Sequence, residues 1–209
     1  MFRLFTSARR SPCGSLKVAA LLFGLCAAAS SAAANLEMTE FHYPPLNYYF
    51  ITANGAEKAA LDGTSGWTRT GNSFMVADAD AEAAGALPLT RFYFDGIALN
   101  KARGSHFYTM VESERSALRA MNPSKANAAG LPVDEGNMGY VYPQIAAGFG
   151  VGFGSYCASS MLPVYRAFRG STRFPDDPNH RFSTDRAAHV ALVAAGWDDE
   201  GVAFCVPAN

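Results

Sequence analysis

Histidine is the residue of this chain that can take part in the widest range of chemistry, because imidazole binds metals and transfers protons near neutral pH. The four histidines are His42, His106, His180 and His189, and no two of them have the close spacing of a zinc motif. His106 and His180 occupy matching places in an internal repeat, where Tyr48 is the third member. Tyrosine is a poor zinc ligand, so we expect no metal and no other cofactor. Each histidine is expected to anchor its strand to a neighbouring polar group.

A serine nucleophile is the second chemical possibility. Ser183 lies close in sequence to His180 and Asp185, but catalytic trios are assembled in space rather than along the chain. On a strand, His180 and Ser183 point to opposite faces, and the chain has no G-x-S-x-G motif. Hydrolysis is therefore the alternative hypothesis rather than the leading one.

Carboxylates and aromatic rings form the third chemical set. Candidates for an acid–base pair are Glu57, Glu114, Glu135 and Glu200. Glu135 and Glu200 both precede a glycine of the repeat, and a repeated position favours a repeated fold contact over two active sites. Tyrosines and tryptophans are abundant, and most should pack in the core, although a subset of such rings would suit a sugar-binding groove.

The elements that position these residues come from a sequence that repeats itself. Two copies share the frame W-x3-G-x2-F, at Trp67 to Phe74 and Trp197 to Phe204. Upstream, Asn47 to Thr52 and Asn179 to Thr184 share N-x-x-F-x-T. A middle copy reads Ser105-His-Phe-Tyr-Thr109. Such self-similarity predicts repeated supersecondary units.

Each unit is predicted to be β-β-α-β, in repeats of about 38–77, 87–143 and 162–207. Thr52, Thr109 and Thr184 are expected to cap the three helices, and Thr109 with Glu112 forms a T-x-x-E capping box. Short units bury their apolar faces only against neighbours. We therefore expect one α+β domain over 35–209, closed with pseudo-threefold symmetry around a common core; an open row is the alternative.

The motifs N-x-x-F-x-T, H-F-Y-T-x4-E, G-W-x3-G-x2-F and D-E-G-V-A-F-C resemble the secreted bacterial repeats catalogued as domain of unknown function 5648. The resemblance covers residues from about 38 to 209. It implies an exported protein and brings no catalytic residues with it. Tyr48 stands where such repeats usually have histidine, and the middle copy lacks the tryptophan.

Residues 1–34 read as a secretory signal peptide, with a basic start, an apolar run from Val18 to Ala29 and small residues at 32–34. Removing them takes away four basic and no acidic residues, which moves the formal charge from −1 to −5. That charge disfavours nucleic acid and anionic membranes as partners. The mature protein is expected to be secreted or periplasmic, without a membrane span.

Cys157 and Cys205 are the two cysteines that remain after signal removal. They bracket the third repeat, and export to an oxidising compartment favours a disulfide between them.

The function expected from these features is a noncatalytic binding or adhesion module of the cell envelope or secretome. Its ligand would be a glycan or a secreted protein, and its oligomeric state stays open. The alternative is a small extracellular hydrolase with a site between repeats. Binding residues usually lie on loops that differ between units, which selects as candidate ligand contacts Arg173, Phe174, Asp176 and Asp177, with His106 and His180 on the adjacent strands.

Overall fold

A computed structural model describes residues 35–96, 101, 104–124, 126, 128, 130–146, 155–170, 173–174 and 176–208. The expected signal peptide and the glycine-rich segment 148–154 lie outside the described residues. Within them, no helix is long and apolar enough to cross a membrane.

The described residues form an α+β fold dominated by antiparallel strands, which confirms the expected class. The strands are β1 Asn35–Tyr43, β2 Tyr48–Thr52, β3 Thr68–Ala77, β4 Leu87–Phe94, β5 Ser105–Thr109, β6 Pro132–Val141, β7 Ile145–Ala146, β8 Ser155–Tyr156, β9 Met161–Arg169, β10 Asn179–Ser183 and β11 Asp198–Pro207. The α-helices are α1 Gly55–Asp62, α2 Glu112–Met121 and α3 Arg186–Ala194, and two 3-10 helices cover Pro44–Leu46 and Ala79–Ala84.

The same local order surrounds each helix. Two antiparallel strands precede it, and the strand after it pairs with the first of those two, which gives the orders β2-β1-β3, β5-β4-β6 and β10-β9-β11. Ala77 pairs with Tyr140 and joins the first two groups into a six-stranded sheet. A bridge between Tyr142 and Cys205 connects β11 to the end of β6.

The main core lies where strands of all three groups meet. Its largest fully buried side chains are Tyr108, Phe182 and Phe204. Phe182 contacts both Tyr108 and Phe204, with ring centroids 5.2 and 6.1 Å apart. Burying large aromatic side chains is the dominant favourable term in folding such a domain.

The prediction that threonines cap the first two helices is wrong by two residues. The residue that precedes α1 is Asn54, whose side chain accepts from two amides of the first turn. Thr52 ends β2, and its hydroxyl donates to Glu57 instead. Thr109 likewise donates to Glu114, so the expected capping box does not form. These hydroxyls tie the end of a strand to the helix that follows it.

The third helix begins at Arg186, but its N-cap lies one residue later than predicted. Asp185 is its N-cap and accepts from Ala188 N at 3.0 Å. Ser183, rather than Thr184, ends the strand and accepts from Asp185 N. An aspartate suits this place because its charge also favours the positive end of the helix dipole.

Strand register corrects how the repeats overlay. Ser183 lies opposite Tyr165 in β9, as Thr52 lies opposite Thr39 in β1. Asn47 adopts a left-handed turn with φ 47°, whereas the asparagine at 179 lies within β10. The N-x-x-F-x-T frame is therefore shifted by one residue between the first and third groups.

The tryptophans differ in burial. Trp197 is buried against Ala167, Leu192 and Tyr49, apart from the cluster that holds Phe204. Trp67 is only partly buried. Trp197 and Phe204 share the frame W-x3-G-x2-F, yet they lie in separate clusters of buried residues.

Cys157 and Cys205 are bonded, as the compartment argument predicts. The bond ties the segment before β9 to β11. Mass spectrometry of the exported protein should show that the peptides containing these residues gain the mass of two hydrogens only on reduction. Finding both thiols free in the native protein would contradict the pairing.

Candidate functional site

His106 on β5 is enclosed between the first and second strand groups. The hydroxyl of Tyr48 lies 2.8 Å from its Nδ1, and Glu135 Oε2 lies 3.5 Å from its Nε2. The ring of Phe50 meets it edge-on at 4.7 Å. Burial, reinforced by the Arg91 cation, lowers the pKa of His106 to about 3.

His180 on β10 has the same surroundings between the second and third groups. The hydroxyl of Ser105 lies 3.0 Å from its Nδ1, and Glu200 Oε2 lies 3.7 Å from its Nε2. Phe168 stacks on the ring at 4.4 Å. Burial, followed by the Arg166 cation, lowers its pKa to about 3.

Both imidazoles are therefore neutral near pH 7. We assign the single ring proton to Nε2, which faces a glutamate oxygen, so that Nδ1 accepts from the hydroxyl. Nδ1 of each ring is hydrogen-bonded to a hydroxyl, and Nε2 of each ring lies 3.5 to 3.7 Å from a glutamate oxygen. In the register of His106 and His180, the third member is Tyr49 rather than Tyr48. Within the described residues, no three metal-binding side chains come together.

Ser183, His180 and Asp185, which the sequence disfavours as a catalytic trio, have separate partners in the structure. Ser183 and Asp185 are occupied at the start of α3, as described above. Sequence reasoning missed Ser105 as the neighbour of His180, because the two residues are 75 positions apart and belong to different strand groups.

The first two strand groups are locked by Arg91. Its terminal nitrogens donate to both oxygens of Glu57 at 2.7 and 2.9 Å, and its Nε donates to Glu135 at 2.7 Å. The guanidinium also lies over the ring of Phe50. Hydrogen bonding from Arg91 is the largest cause that lowers the pKa of Glu57. This cluster is closed, since the buried Arg91 fills the space between two partly exposed carboxylates.

The third and first groups are joined by a different ion pair. Arg181 on β10 donates to both oxygens of Glu40 on β1 at 2.7 and 2.9 Å. Glu40 also accepts from Thr70 and Asn72, and Arg181 lies over Tyr49. Bidentate geometry and added hydrogen bonds are what a buried ion pair requires.

The second and third groups leave an open cleft of about 330 Å³ between them. Its charged lining residues are Glu114, Arg166 and Glu200, and the rest of the wall is Tyr108–Val111, Pro143, Gln144, Val202 and Ala203. Burial raises the pKa of Glu200 against the opposing effect of Arg166, and Glu114 adds to the rise. We define this space as the 2/3 cleft.

Arg166 in the 2/3 cleft does not repeat the contacts of Arg91. Its Nε lies 2.9 Å from Glu200 Oε2, and its guanidinium lies over Phe107 at 4.9 Å. Among the described residues, it forms no ion pair with Glu114 and its terminal nitrogens have no hydrogen-bond acceptor. Polar groups that bond to one another in the Arg91 cluster therefore remain open at the equivalent positions of the cleft.

The loop residues predicted to contact a ligand largely fold back onto their own strands. Arg169 pairs with Asp177 and lies over Phe174 at 4.4 Å. Asp176 receives an ion pair from Lys101 at 2.7 Å. Arg173 covers Gly196, which has φ +97° and no room for a side chain. A ligand role for this loop stays a prediction.

Comparison with known proteins places these features in a family. The model of a family described as a domain of unknown function, DUF5648, matches the chain twice, over residues 25–130 and 50–207. No curated protein and no solved structure matches. The matched ranges cover most of the chain, as the sequence resemblance predicts, and the chain belongs to the DUF5648 family.

Proposed function

We propose that this protein is an exported, noncatalytic binding module of the cell envelope or secretome. The observation that carries the proposal is how its polar residues are used. His106 and His180 are largely enclosed between strand groups, and a hydroxyl is hydrogen-bonded to Nδ1 of each, whereas the 2/3 cleft leaves polar groups of Arg166 and Glu114 open. A rigid scaffold with an open polar cleft suits binding better than proton transfer.

We further propose that the three ββαβ groups are repeats arranged with pseudo-threefold symmetry. Three side-chain contacts that run in one cyclic direction support this arrangement. In each group, the first residue of the second strand (β2, β5 or β10) contacts the second residue of the equivalent strand in the next group. The contacts are Tyr48 with His106, Ser105 with His180, and Asn179 with the backbone of Tyr49. The two overlapping family matches agree with internal repetition.

Export is supported by the disulfide, since such bonds persist in oxidising compartments. The basic and apolar start of the chain supports the same conclusion. A secreted or periplasmic module would meet envelope glycans or other secreted proteins, and we favour a glycan because the open groups of the 2/3 cleft include both donors and acceptors. Nucleic acid is a poor partner for a net-acidic chain.

An extracellular hydrolase is the second candidate, and one arrangement favours it. Ser105, His180 and Glu200 form a serine–histidine–glutamate series. However, Ser105 is only 2% exposed and does not line the 2/3 cleft. A tyrosine hydroxyl takes the place of the serine at His106. A nucleophile needs access to its substrate, so the series fits a structural contact better.

One experiment distinguishes the binding function from the hydrolase function. Mature protein and a Ser105→Ala variant are incubated with isolated envelope glycan, and both retained protein and released soluble fragments are measured. We expect retention without release, and equal retention of the variant, which loses about 0.5–1.5 kcal/mol of stability with its hydrogen bond. Fragment release that disappears in Ser105→Ala would establish the hydrolase instead.

A further inference from the structure

The closed cluster and the 2/3 cleft are built from the same residue types at matching places. Glu57 and Glu114 each lie five residues after a threonine that donates to them. Arg91 and Arg166 each follow, by one position, the residue that pairs with the end of the neighbouring strand. Those strand ends are Thr109 in β5 and Ser183 in β10. The chain therefore contains a filled site and an open counterpart. The contacts made in the filled site show which contacts the open site lacks.

Glu135 and Glu200 complete the correspondence. Each precedes a glycine with positive φ, +93° at 136 and +70° at 201. In the closed cluster, one arginine bonds both carboxylates. In the cleft, Arg166 lies against Glu200 alone, and one oxygen of Glu114 accepts from Thr109. No other donor to Glu114 is found in the part of the chain that the structure describes.

The open groups of the cleft fix the chemistry of an occupant. Arg166 presents donors and Glu114 presents an acceptor, so an occupant needs both functions within a few ångströms. Glu114 and Glu200 would repel a carboxylate. An ammonium ion would be attracted by these two carboxylates, but it only donates, so it would leave the donors of Arg166 unsatisfied. A neutral group with adjacent hydroxyls satisfies both sides, because each hydroxyl donates and accepts.

The volume of the 2/3 cleft and its apolar lining residues suit a single sugar ring. The 330 Å³ volume lies at the small end of the range of ligand pockets. Met110, Val111, Pro143 and Val202 supply apolar contact for the C–H face of a pyranose. Building on the proposed binding function, we infer that the 2/3 cleft binds a neutral pyranose unit of a glycan, through Arg166 and Glu114.

The test compares two matched variants by nitrogen-15 NMR, with methyl glucoside, methyl galactoside and methyl mannoside as probes. At least one probe should shift the amide signals of Val111, Glu114 and Val202 in the wild type, with a dissociation constant on the order of millimolar. Glu114→Gln should weaken that affinity at least about tenfold, a loss of roughly 1.4 kcal/mol, and leave the melting temperature unchanged.

Glu57→Gln is the matched control. It removes a charge from the closed cluster, so it should lower the melting temperature and leave glycoside affinity unchanged. Butylammonium and acetate serve as charged probes. Cleft shifts caused by either ion and by no glycoside would overturn the neutral-sugar inference, as would equal glycoside binding by Glu114→Gln and wild type.

Envelope retention separates this inference from the proposed function. If Glu114→Gln is retained on envelope glycan as strongly as wild type, the cleft assignment fails and the binding function stands. If wild type neither binds a glycoside nor is retained, both fail. Weaker retention of Glu114→Gln than of Glu57→Gln supports both.

Discussion

The free energy of unfolding should fall steadily as the pH is lowered from about 6.5, the ordinary pKa of histidine. In the folded protein, the pKa of His106 and of His180 is lowered to about 3. The unfolded chain therefore binds protons that the folded chain does not, and acid favours unfolding. By about pH 4.5 the loss should reach roughly 2–3 kcal/mol for each histidine, as an upper value.

Nearby carboxyl groups modify this acid sensitivity. Burial raises the pKa of Glu135 and Glu200, so these groups take up protons in the folded state and offset part of the loss. The pKa of Glu57 is lowered, so its contribution to stability is lost at still lower pH. The histidines dominate between about pH 6.5 and 4.5 because their shifts are the larger ones.

Urea unfolding at a series of pH values measures the slope directly. The double variant His106→Gln and His180→Gln removes both titrating rings. It should be less stable than wild type at pH 7 and lose less stability between pH 7 and about 4.5. A double variant with the same pH slope as wild type would show that the acid sensitivity has another origin.

Glu40→Ala should destabilise the protein by about 3–5 kcal/mol, the usual cost of breaking one side of a buried ion pair. Arg181 would remain buried without its carboxylate partner, and Thr70 and Asn72 would each lose an acceptor. The pair joins β1 to β10 across 141 residues of sequence. The loss therefore measures how strongly the first and third groups depend on each other.

Glu37→Ala is the matched control on the same strand. Glu37 is exposed and pairs with Lys58 at 3.5 Å, so its removal should cost at most about 1 kcal/mol. Replacing Glu40 by Leu together with Arg181 by Met should recover part of the loss, because no unpaired charge is then buried. A cost for Glu40→Ala no larger than that for Glu37→Ala would mean that the closure between β1 and β10 is not rigid.

Much of the secondary structure could be predicted from the chain, because each short strand and helix carries local signals. Gly196, after α3, has the positive φ expected for a residue that follows a helix. Strand register could not be predicted to the residue. The frame N-x-x-F-x-T misled because Asn47 takes a left-handed turn outside its strand. Sequence spacing alone does not show which residue of a turn begins a strand.

The candidate site was harder to predict, since its members come from different repeats. Glu114 and Glu200 were noted as carboxylates, but Arg166 gave no separate signal in the sequence. Its importance rests on a difference between two equivalent arginines. Arg91 forms an ion pair with Glu57, whereas among the described residues Arg166 forms none with Glu114. Comparing equivalent positions across the repeats would have raised the question, provided that the register had been correct.

The central claim is that the polar residues between the strand groups hold the fold together and do not perform chemistry. Nitrogen-15 NMR of the imidazole rings tests it most directly, because it reports the charge and tautomer of each histidine. We predict that His106 and His180 carry their proton on Nε2, and that both stay neutral from pH 7 down to about pH 4.5. Titration of either ring near its ordinary pKa of about 6.5 would contradict the claim and identify that histidine as an accessible acid–base group.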